Sequence, residues 1–313
     1  MTGHGAWTFI TGSDASWPTG NPVDGRTVPI PLRWLDGTRR DEPWLEGVDA
    51  QRESVGDATL VATADLLLGV FDFSEHDAIE STIASTYARI QELCTARGFA
   101  HLLRVWNYFG AINQGDGDDE RYRRFCVGRA RVLDRAPTGG FAAATAIGIP
   151  APSSRMQIAF LASRHAGVAV ENPRQTSAWE YPREFGPIAP GFSRAMLLPW
   201  LHEPVLLVSG TASVVGHASL HSDTATQLTE ALLNVDTVIA AAAARLGRPL
   251  ALGRGGAMRV YLRDALEAPE VAAQLRQGLP PGLHWMLLEG DICRRDLRVE
   301  LELRQACESR PSG

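Results

Sequence analysis

"PVLLVSGTASVV" (Pro204–Val215) and, shortly after it, "SDTATQLTEALLNVDTVIAAAAARLG" (Ser222–Gly247) decide the fold of the second half of the chain. The first segment is an apolar run that passes into small residues, which indicates a strand. The second segment carries apolar residues at helical spacing: Leu228, Leu232, Val235 and Ile239. Asp223 is a candidate N-cap and Gly247 a candidate C-terminal stop. A strand that leads into a long amphipathic helix is therefore predicted.

The first half of the chain has the same order of elements. "DATLVATADLLLGVFDF" (Asp57–Phe73) predicts strand structure, and "HDAIESTIASTYARIQELCTARG" (His76–Gly98) predicts a helix. The apolar positions of that helix are Ile79, Ile83, Tyr87, Ile90 and Cys94. The strand that follows, "HLLRVWNYF" (His101–Phe109), has its counterpart in "AMRVYLRDAL" (Ala257–Leu266), so "RVWNY" and "RVYLR" occupy equivalent places. This order predicts a diverged internal duplication.

The closing elements complete the predicted architecture. "APEVAAQLRQGL" (Ala268–Leu279) indicates a helix, and "HWMLLEGD" (His284–Asp291) and "DLRVELEL" (Asp296–Leu303) indicate strands. We therefore predict an α+β fold, with helices packed on one face of a mixed sheet. The stretch up to about Gly56 is rich in Pro, Gly and Trp and predicts loops. The proline-rich segment 171–195 is expected to hold the boundary between domains 1–190 and 191–313.

Composition excludes several classes of function. The 313 residues are 45% hydrophobic and 21% charged, as in ordinary globular proteins, and the formal charge of −6 argues against nucleic acid as a partner. No stretch approaches the length of a membrane span. The N-terminus lacks the basic and apolar regions of a signal peptide, so we expect a cytoplasmic protein. Arginine greatly outnumbers lysine, and arginine suits bidentate binding of carboxylates.

The cysteines predict neither disulfides nor zinc. Cys94, Cys126, Cys293 and Cys307 have no CxxC spacing and form no zinc signature with the eight histidines. All four are expected to be free thiols, and the three other than Cys293 are expected to be small buried hydrophobes. Neither a glycine-rich phosphate loop nor a metal cluster stands out, so we expect no cofactor and no metal.

"GDICRRDLRVELE" (Gly290–Glu302) combines strand alternation with an unusual density of reactive groups. Its apolar face is formed by Leu297, Val299 and Leu301. Its other face carries Arg298, Glu300 and Glu302, and a cysteine and two arginines come just before. By pattern alone, a solvated sheet edge is the simpler interpretation of that charged face.

Two sets of short motifs resemble known protein families. "VSGTASVV" (208–215), "QLTEALLNV" (227–235) and "DLRVELE" (296–302) resemble the RidA/YjgF family of small α+β domains. "RVWNYFGAIN" (104–113), "ERYRRFCVGRARVL" (120–133), "ENPRQTSAWEYP" (171–182), "VVGHASLH" (214–221) and "GDICRRDLRVE" (290–300) resemble the chorismatases. Those enzymes cleave chorismate to pyruvate and a ring product. The resemblance implies that a degenerate RidA-like half precedes a better-preserved half, which carries the active site.

The resemblance also implies that Glu300 is the catalytic acid and that its strand face looks into a closed pocket. Protonation of the enolpyruvyl methylene carbon needs a carboxylic acid that still holds its proton near neutral pH. Burial raises a carboxyl pKa in this way, whereas a tight pair with Arg298 would lower it. Glu300 is therefore expected to be shielded from water and not paired with Arg298.

The two carboxylates of chorismate require fixed cations and donors. Arg129 and Arg194 are the candidate cations, and Tyr181 is a candidate donor. Arg174 is a further candidate, with a structural role in the inter-domain loop as the alternative. His217 is a candidate for ring binding, although a partly buried histidine is the simpler interpretation for it. Gly210 and Ala212 lack bulky side chains, which would let the ring lie against the backbone.

Cys293 bears on the product. It stands where the hydroxybenzoate-forming chorismatases carry a cysteine, which implies an intramolecular route to 3- or 4-hydroxybenzoate. Its thiol would either move a proton or exclude the water that hydrolysis needs. Ala212 resembles instead the hydrolytic type, which forms 3,4-dihydroxycyclohexa-1,5-dienoate. Both products stay open at this stage.

Two other classes of function also stay open. A RidA-like imine deaminase would carry an arginine in "LHWMLLEGD" (283–291), and this segment has none. A non-catalytic module would bind small carboxylates in the same cleft without releasing pyruvate. For the oligomeric state, both a monomer and a trimer are compatible with a duplicated chain.

Overall fold

A computed structural model describes residues 7–12, 27–44, 49–75, 78–133, 140–150 and 153–307. The helices are α1 (Ile79–Ala96), α2 (Arg121–Ala130), α3 (Thr224–Leu246) and α4 (Ala268–Gly278). The strands are β1 (Trp7–Gly12), β2 (Thr27–Gly37), β3 (Asp41–Trp44), β4 (Gln51–Val55), β5 (Ala58–Ala62), β6 (Leu66–Ser74), β7 (His101–Gly110), β8 (Ala143–Ile149), β9 (Arg155–Ser163), β10 (Val168–Val170), β11 (Ala195–Leu198), β12 (Val205–Ala212), β13 (Val214–Val215), β14 (Ala218–Ser219), β15 (Gly256–Leu262), β16 (His284–Glu289) and β17 (Val299–Ala306).

The two halves of the chain share one strand order. The first sheet runs β4-β5-β6-β9-β7-β8, and the second contains β10-β11-β12-β17-β15-β16 in corresponding positions. In each, one neighbouring pair is parallel, β7 with β8 and β15 with β16, and the next neighbour, β9 or β17, is antiparallel. The helices also occupy equivalent places, because α1 and α3 precede the first strand of the parallel pair. The predicted duplication is therefore confirmed by topology.

Three apolar cores hold the layers together. Helices α1 and α2 pack on the outer face of the first sheet, and α3 and α4 pack on the outer face of the second. The inner faces of the two sheets share the third core, which includes Trp106 and Tyr108 from the first sheet and Tyr261 and Leu288 from the second. The predicted α+β class, with helices on one face of mixed sheets, is confirmed.

The local signals at the ends of α3 behave as predicted. The Asp223 side chain accepts a hydrogen bond from the Thr226 amide, and Gly247 adopts the left-handed conformation with φ of 70°. A left-handed residue costs least at glycine, so the helix ends there. Both signals act within a few residues, and for that reason the sequence alone determines them.

The prediction of loops up to Gly56 is wrong for the described residues. Strands β1, β2 and β3 extend the second sheet beyond β16, and β4 starts the first sheet. Strand β2 pairs with β16 near Trp34 and Leu288. Sheet membership thus does not change simply at residue 190, because β1–β3 and β10 come before that residue and belong to the second sheet. The division into domains 1–190 and 191–313 stays a prediction.

Candidate active site

A cavity of about 470 Å³ opens beside β12 and the start of β17. Strand β12 contributes Gly210 and Ala212, and β17 contributes Glu300. The remaining wall comes from α2, from the segment that contains Tyr181 and Arg194, and from the segment 293–297. This volume lies within the range of small-molecule sites, roughly 300–1,000 Å³.

A β-bulge places the cavity in the second half. In the β12–β17 ladder the register shifts between Val208 and Thr211, so Ser209 and Gly210 leave the regular pairing. The equivalent β6–β9 ladder of the first half pairs without a shift. Bulges commonly redirect backbone and side chains next to active sites. In this chain the bulge turns Gly210 towards the closing strand.

The first half has no carboxyl at the position that corresponds to Glu300. The ladders align Glu300 opposite Tyr261, and at the equivalent place Ala159 lies opposite Trp106. By the same alignment Glu302 corresponds to Leu161. A chemically competent carboxyl therefore exists at this position in the second half alone, and the first half is degenerate in this sense.

Glu300 is buried at the cavity wall. Only 5% of the residue is exposed, and burial raises its pKa from 4.5 to about 8. The neighbouring Glu302 carboxylate raises this pKa further, whereas the positive charges of Arg104, Arg194 and Arg294 oppose the rise. A carboxyl with a pKa near 8 is mostly protonated at neutral pH. The closing strand is therefore not a solvated edge, and its polar face is enclosed.

Arg298 does not form an ion pair with Glu300. Its guanidinium instead binds the Glu267 carboxylate at 3.1 Å and the Ser222 carbonyl oxygen at 3.0 Å. This arrangement agrees with the requirement that the acid remain unpaired. Burial therefore remains the main influence on the pKa of Glu300, and Arg298 does not counteract it by ion pairing.

Glu302, two residues along the same strand face, has a contrasting environment. Arg104 Nη2 donates to its Oε2 at 2.7 Å, and Trp106 Nε1 donates to its Oε1 at 2.9 Å. Arg259 approaches Oε1 to 3.1 Å. Arg104 and Arg259 are the equivalent arginines of the "RVWNY" and "RVYLR" repeats, so both halves neutralise this one carboxylate. Two carboxyls on one face thus differ in environment, as acid–base pairs in active sites often do.

The absence of a side chain at Gly210 leaves space for the Glu300 carboxyl. A Cβ atom at this position would lie 2.0 Å from Glu300 Oε1 and 2.9 Å from its Cδ. The sequence predicts that Gly210 leaves room for a substrate ring. The structure adds a nearer reason, which is that the Glu300 carboxyl packs directly against the Gly210 backbone.

Arg194 and Tyr181, which the sequence predicts as substrate-binding residues, meet in the cavity wall. Arg194 is 3% exposed, and its Nη2 donates to the Thr176 carbonyl oxygen at 2.8 Å and to the Tyr181 hydroxyl oxygen at 2.7 Å. The Tyr181 proton is therefore available to another acceptor. Among the described residues, Arg194 Nε has no hydrogen-bond partner. Both side chains line the same cavity as Glu300.

Three residues predicted to bind substrate lie outside this cavity. Arg129 donates to the Gly191 carbonyl oxygen at 2.9 Å and lines a separate cavity behind the 187–191 segment. Arg174 binds Asn234 and Glu230 of α3. His217 is exposed, and its ring contacts Phe185. A sequence motif identifies a neighbourhood, but the direction of each side chain depends on the packing around it.

Three arginines line the cavity that were not predicted as site residues from the sequence: Arg123, Arg294 and Arg295. Arg294 is held over the Phe185 ring at 4.2 Å, and it donates to the His217 carbonyl oxygen at 2.8 Å. The signal for two of them was present, because Arg294 and Arg295 directly follow Cys293 in "CRRD". These two residues lie in the turn before β17, outside the alternating pattern of the strand.

Comparisons with known proteins agree with this geometry. The family model described as "Chorismatase FkbO/Hyg5-like, N-terminal" matches residues 42–162. A 3-hydroxybenzoate synthase from Streptomyces hygroscopicus is 38% identical over 239 residues, which cover 71% of this chain and 68% of that protein. A chorismatase from Streptomyces rapamycinicus is 36% identical over 281 residues, which cover 85% and 83%. The chain belongs to the chorismatase family.

The fold of the whole chain is that of a chorismatase. A solved chorismatase structure aligns with 96% of this chain and 93% of its own length, at a TM-score of 0.81 and 29% sequence identity. The resemblance stated from short motifs is thereby confirmed. It also extends to the first hundred residues, where the motifs had given little.

In this chorismatase-family chain, Cys293 lines the cavity with Glu300. Burial raises the pKa of the Cys293 thiol, and the nearby Glu300 raises it further. A thiol that stays protonated is a poor base. All four cysteines are free, and Cys94, Cys126 and Cys307 are buried, as predicted.

Two further observations concern the described residues. They contain no group of three or more His, Cys, Asp or Glu side chains arranged to hold a metal ion. None of their helices combines the length and the apolar character that a membrane span requires.

Proposed function

We propose that this chain converts chorismate into pyruvate and a hydroxybenzoate, with Glu300 as the acid. One observation carries the proposal. Glu300 is a buried carboxyl with a pKa of about 8, and it faces a cavity that is rimmed by arginines. A protonated carboxyl supplies the proton that the enol ether needs, and arginines match the two carboxylates of the substrate.

The reaction proceeds without an external reactant. Glu300 gives its proton to the terminal methylene carbon of the enolpyruvyl group, which makes an oxocarbenium-like centre and a good leaving group. The neighbouring ring hydroxyl displaces the pyruvyl oxygen from the ring and loses its proton, which restores Glu300. The resulting arene oxide rearranges to the aromatic acid. Atoms balance, because chorismate contains the sum of pyruvate and hydroxybenzoate.

The cavity supplies cations for both carboxylates. Arg194 and the Tyr181 hydroxyl are hydrogen-bonded to each other in the cavity wall, and together they bind one carboxylate. Arg294, whose guanidinium lies over the rings of Phe185 and Tyr181, supplies charge for the second. Fixed donors of this kind orient the methylene carbon towards Glu300 and reduce the entropy cost of the reaction.

Cys293 favours the intramolecular route. Because its thiol remains protonated, its role is to occupy space and to exclude water, and it does not remove a proton from the ring. Hydrolysis stays the alternative, because Ala212 resembles the residue of the hydrolytic type and lines the same cavity as Glu300. Hydrolysis would give the dihydroxycyclohexadiene carboxylate instead.

Incubation of the purified protein with chorismate tests the proposal. We expect pyruvate, measured with lactate dehydrogenase, and an equal amount of hydroxybenzoate, identified by mass spectrometry. The diene product is heavier by one water, so the two routes give distinct masses. Oxygen from isotopically labelled water in the ring product would exclude the intramolecular route. Binding of chorismate without pyruvate would favour the non-catalytic module.

Arg194→Lys tests the carboxylate site. Lysine keeps the charge but cannot hold the Thr176 carbonyl, Tyr181 and a carboxylate with a planar array of donors. We expect KM for chorismate to rise by roughly 10- to 100-fold, because a charge-assisted hydrogen bond contributes about 1.5–3 kcal/mol. Arg174→Lys is the matched control, with KM changed by less than about threefold. Equal KM values for the two variants would contradict the assignment.

A further inference from the structure

The outer edge of strand β8 holds three segments of the second half. In the second sheet, the equivalent edge of β16 is covered by β2. The edge of β8 instead receives Ser193, whose amide donates to the Ala142 carbonyl oxygen, and Asp291, which exchanges two backbone hydrogen bonds with Gly148. Each of these residues lies one or two positions from a cavity residue, Arg194 or Cys293.

The third contact is the bulge itself. The Ala144 amide donates to Ser209 Oγ at 2.9 Å, and the Gly210 amide donates to Thr145 Oγ1 at 3.0 Å. Both residues that leave the β12–β17 ladder therefore hydrogen-bond to successive residues of β8. Ser209 also binds the carbonyl oxygens of Ser193 and Arg194. The part-buried Gly210 amide would lose its bond to Thr145 if the hydroxyl were removed, and loss of such a bond is costly.

The Thr145 hydroxyl connects the bulge to the buried ion pair of Arg104 and Glu302. It also accepts a hydrogen bond from Arg104 Nη2 at 2.5 Å, and the same guanidinium nitrogen binds Glu302. Thr145 is buried, and its methyl group lies 3.3 Å from the place where a Gly210 Cβ would stand. One hydroxyl thus contacts both the backbone on which Glu300 rests and the arginine beside it.

We propose that Thr145, on the degenerate first half, is a positioning residue that fixes the Gly210 bulge and thereby the Glu300 carboxyl. The inference deepens the proposed function and rests on it for its kinetic test. In this way the first half, which has no carboxyl equivalent to Glu300, contributes to the reaction. Its edge strand β8 supports the residues of the second half that line the cavity.

Thr145→Val tests the inference, because it keeps the shape and removes the acceptor. We expect kcat to fall by about 10- to 100-fold with KM changed by less than about threefold, since a misplaced acid slows the chemistry. Water reaching the loosened carboxyl lowers its pKa, so the alkaline fall in kcat moves to lower pH. Thr145→Ser, which restores the hydroxyl, is expected within about threefold of wild type. Thr86→Val removes a buried hydroxyl from α1 and serves as the control.

Equal kcat values for Thr145→Val and Thr86→Val, or a serine variant as slow as the valine variant, overturn the inference. Thr145→Ala is measured alongside and replaces the valine variant if that variant does not fold. A wild-type protein that releases no pyruvate from chorismate overturns the proposed function instead. In that case the Glu300 carboxyl is titrated by infrared difference spectroscopy. For wild type and for Thr145→Val, the spectrum of the same protein with Glu300→Gln added is subtracted. A lower midpoint in Thr145→Val supports the positioning role, and an unchanged midpoint overturns it.

Discussion

Glu300→Gln is expected to lower kcat by about 10²- to 10⁴-fold, the usual contribution of a general acid. Glutamine has the size of the protonated carboxyl, so the cavity and KM for chorismate should change little. Pyruvate release measured at pH 7 checks the rate, and titration calorimetry checks chorismate binding. A variant that retains near-normal turnover would remove Glu300 from the mechanism.

The same variant has a predicted effect on stability that depends on pH. The pKa of Glu300 rises from 4.5 to about 8 on folding, so the folded state holds the proton more tightly. Its contribution to stability is complete below pH 4.5 and is lost as pH rises towards 8. The linkage amounts to about 1.4 kcal/mol for each unit of pKa difference. The free energy of unfolding, measured in urea at pH 5 and pH 8, should therefore fall more in wild type than in Glu300→Gln. Equal falls would show that Glu300 ionises in the folded protein as it does in the unfolded chain.

Gly210→Ala is expected to lower kcat by roughly 10²-fold, because displacement of a reacting group by about 1 Å has an effect of this size. The new methyl group would stand 2.0 Å from Glu300 Oε1, so either the acid or the bulge must move. Gly210 does not lie in the left-handed region, so alanine adopts its backbone conformation without strain and the effect is steric.

Gly278→Ala is the matched control for that change. Nothing lies within 4 Å of a Cβ at Gly278, and its backbone also accepts alanine. We expect kcat within about twofold of wild type for the control. A Gly210→Ala enzyme as active as the control would show that the carboxyl does not need this backbone surface.

Local signals predicted much of the fold. Helix α3 begins and ends where Asp223 and Gly247 indicated, because a cap and a left-handed stop act within one turn. Strand β2 was missed because its residues include Pro29, which argues against a strand within a sheet, and its partner β16 lies about 250 residues further along the chain. The local pattern of either segment does not specify a partner at that distance.

For the candidate site, too, some features follow from the sequence and others only from the tertiary structure. The sequence by itself determined the duplicated order of elements, the alternation of the closing strand and, through short motifs, the family. It also predicted Glu300 as the acid, and that role stays a proposal. Only the tertiary structure decided that Arg194 and Tyr181 meet beside this acid while Arg129, Arg174 and His217 do not. It also decided that Glu300 is enclosed, because the first sheet covers a strand face that the sequence pattern presents as charged and exposed. The charge state of a carboxyl depends on what surrounds it in space, and the neighbours of Glu300 come from both halves of the chain.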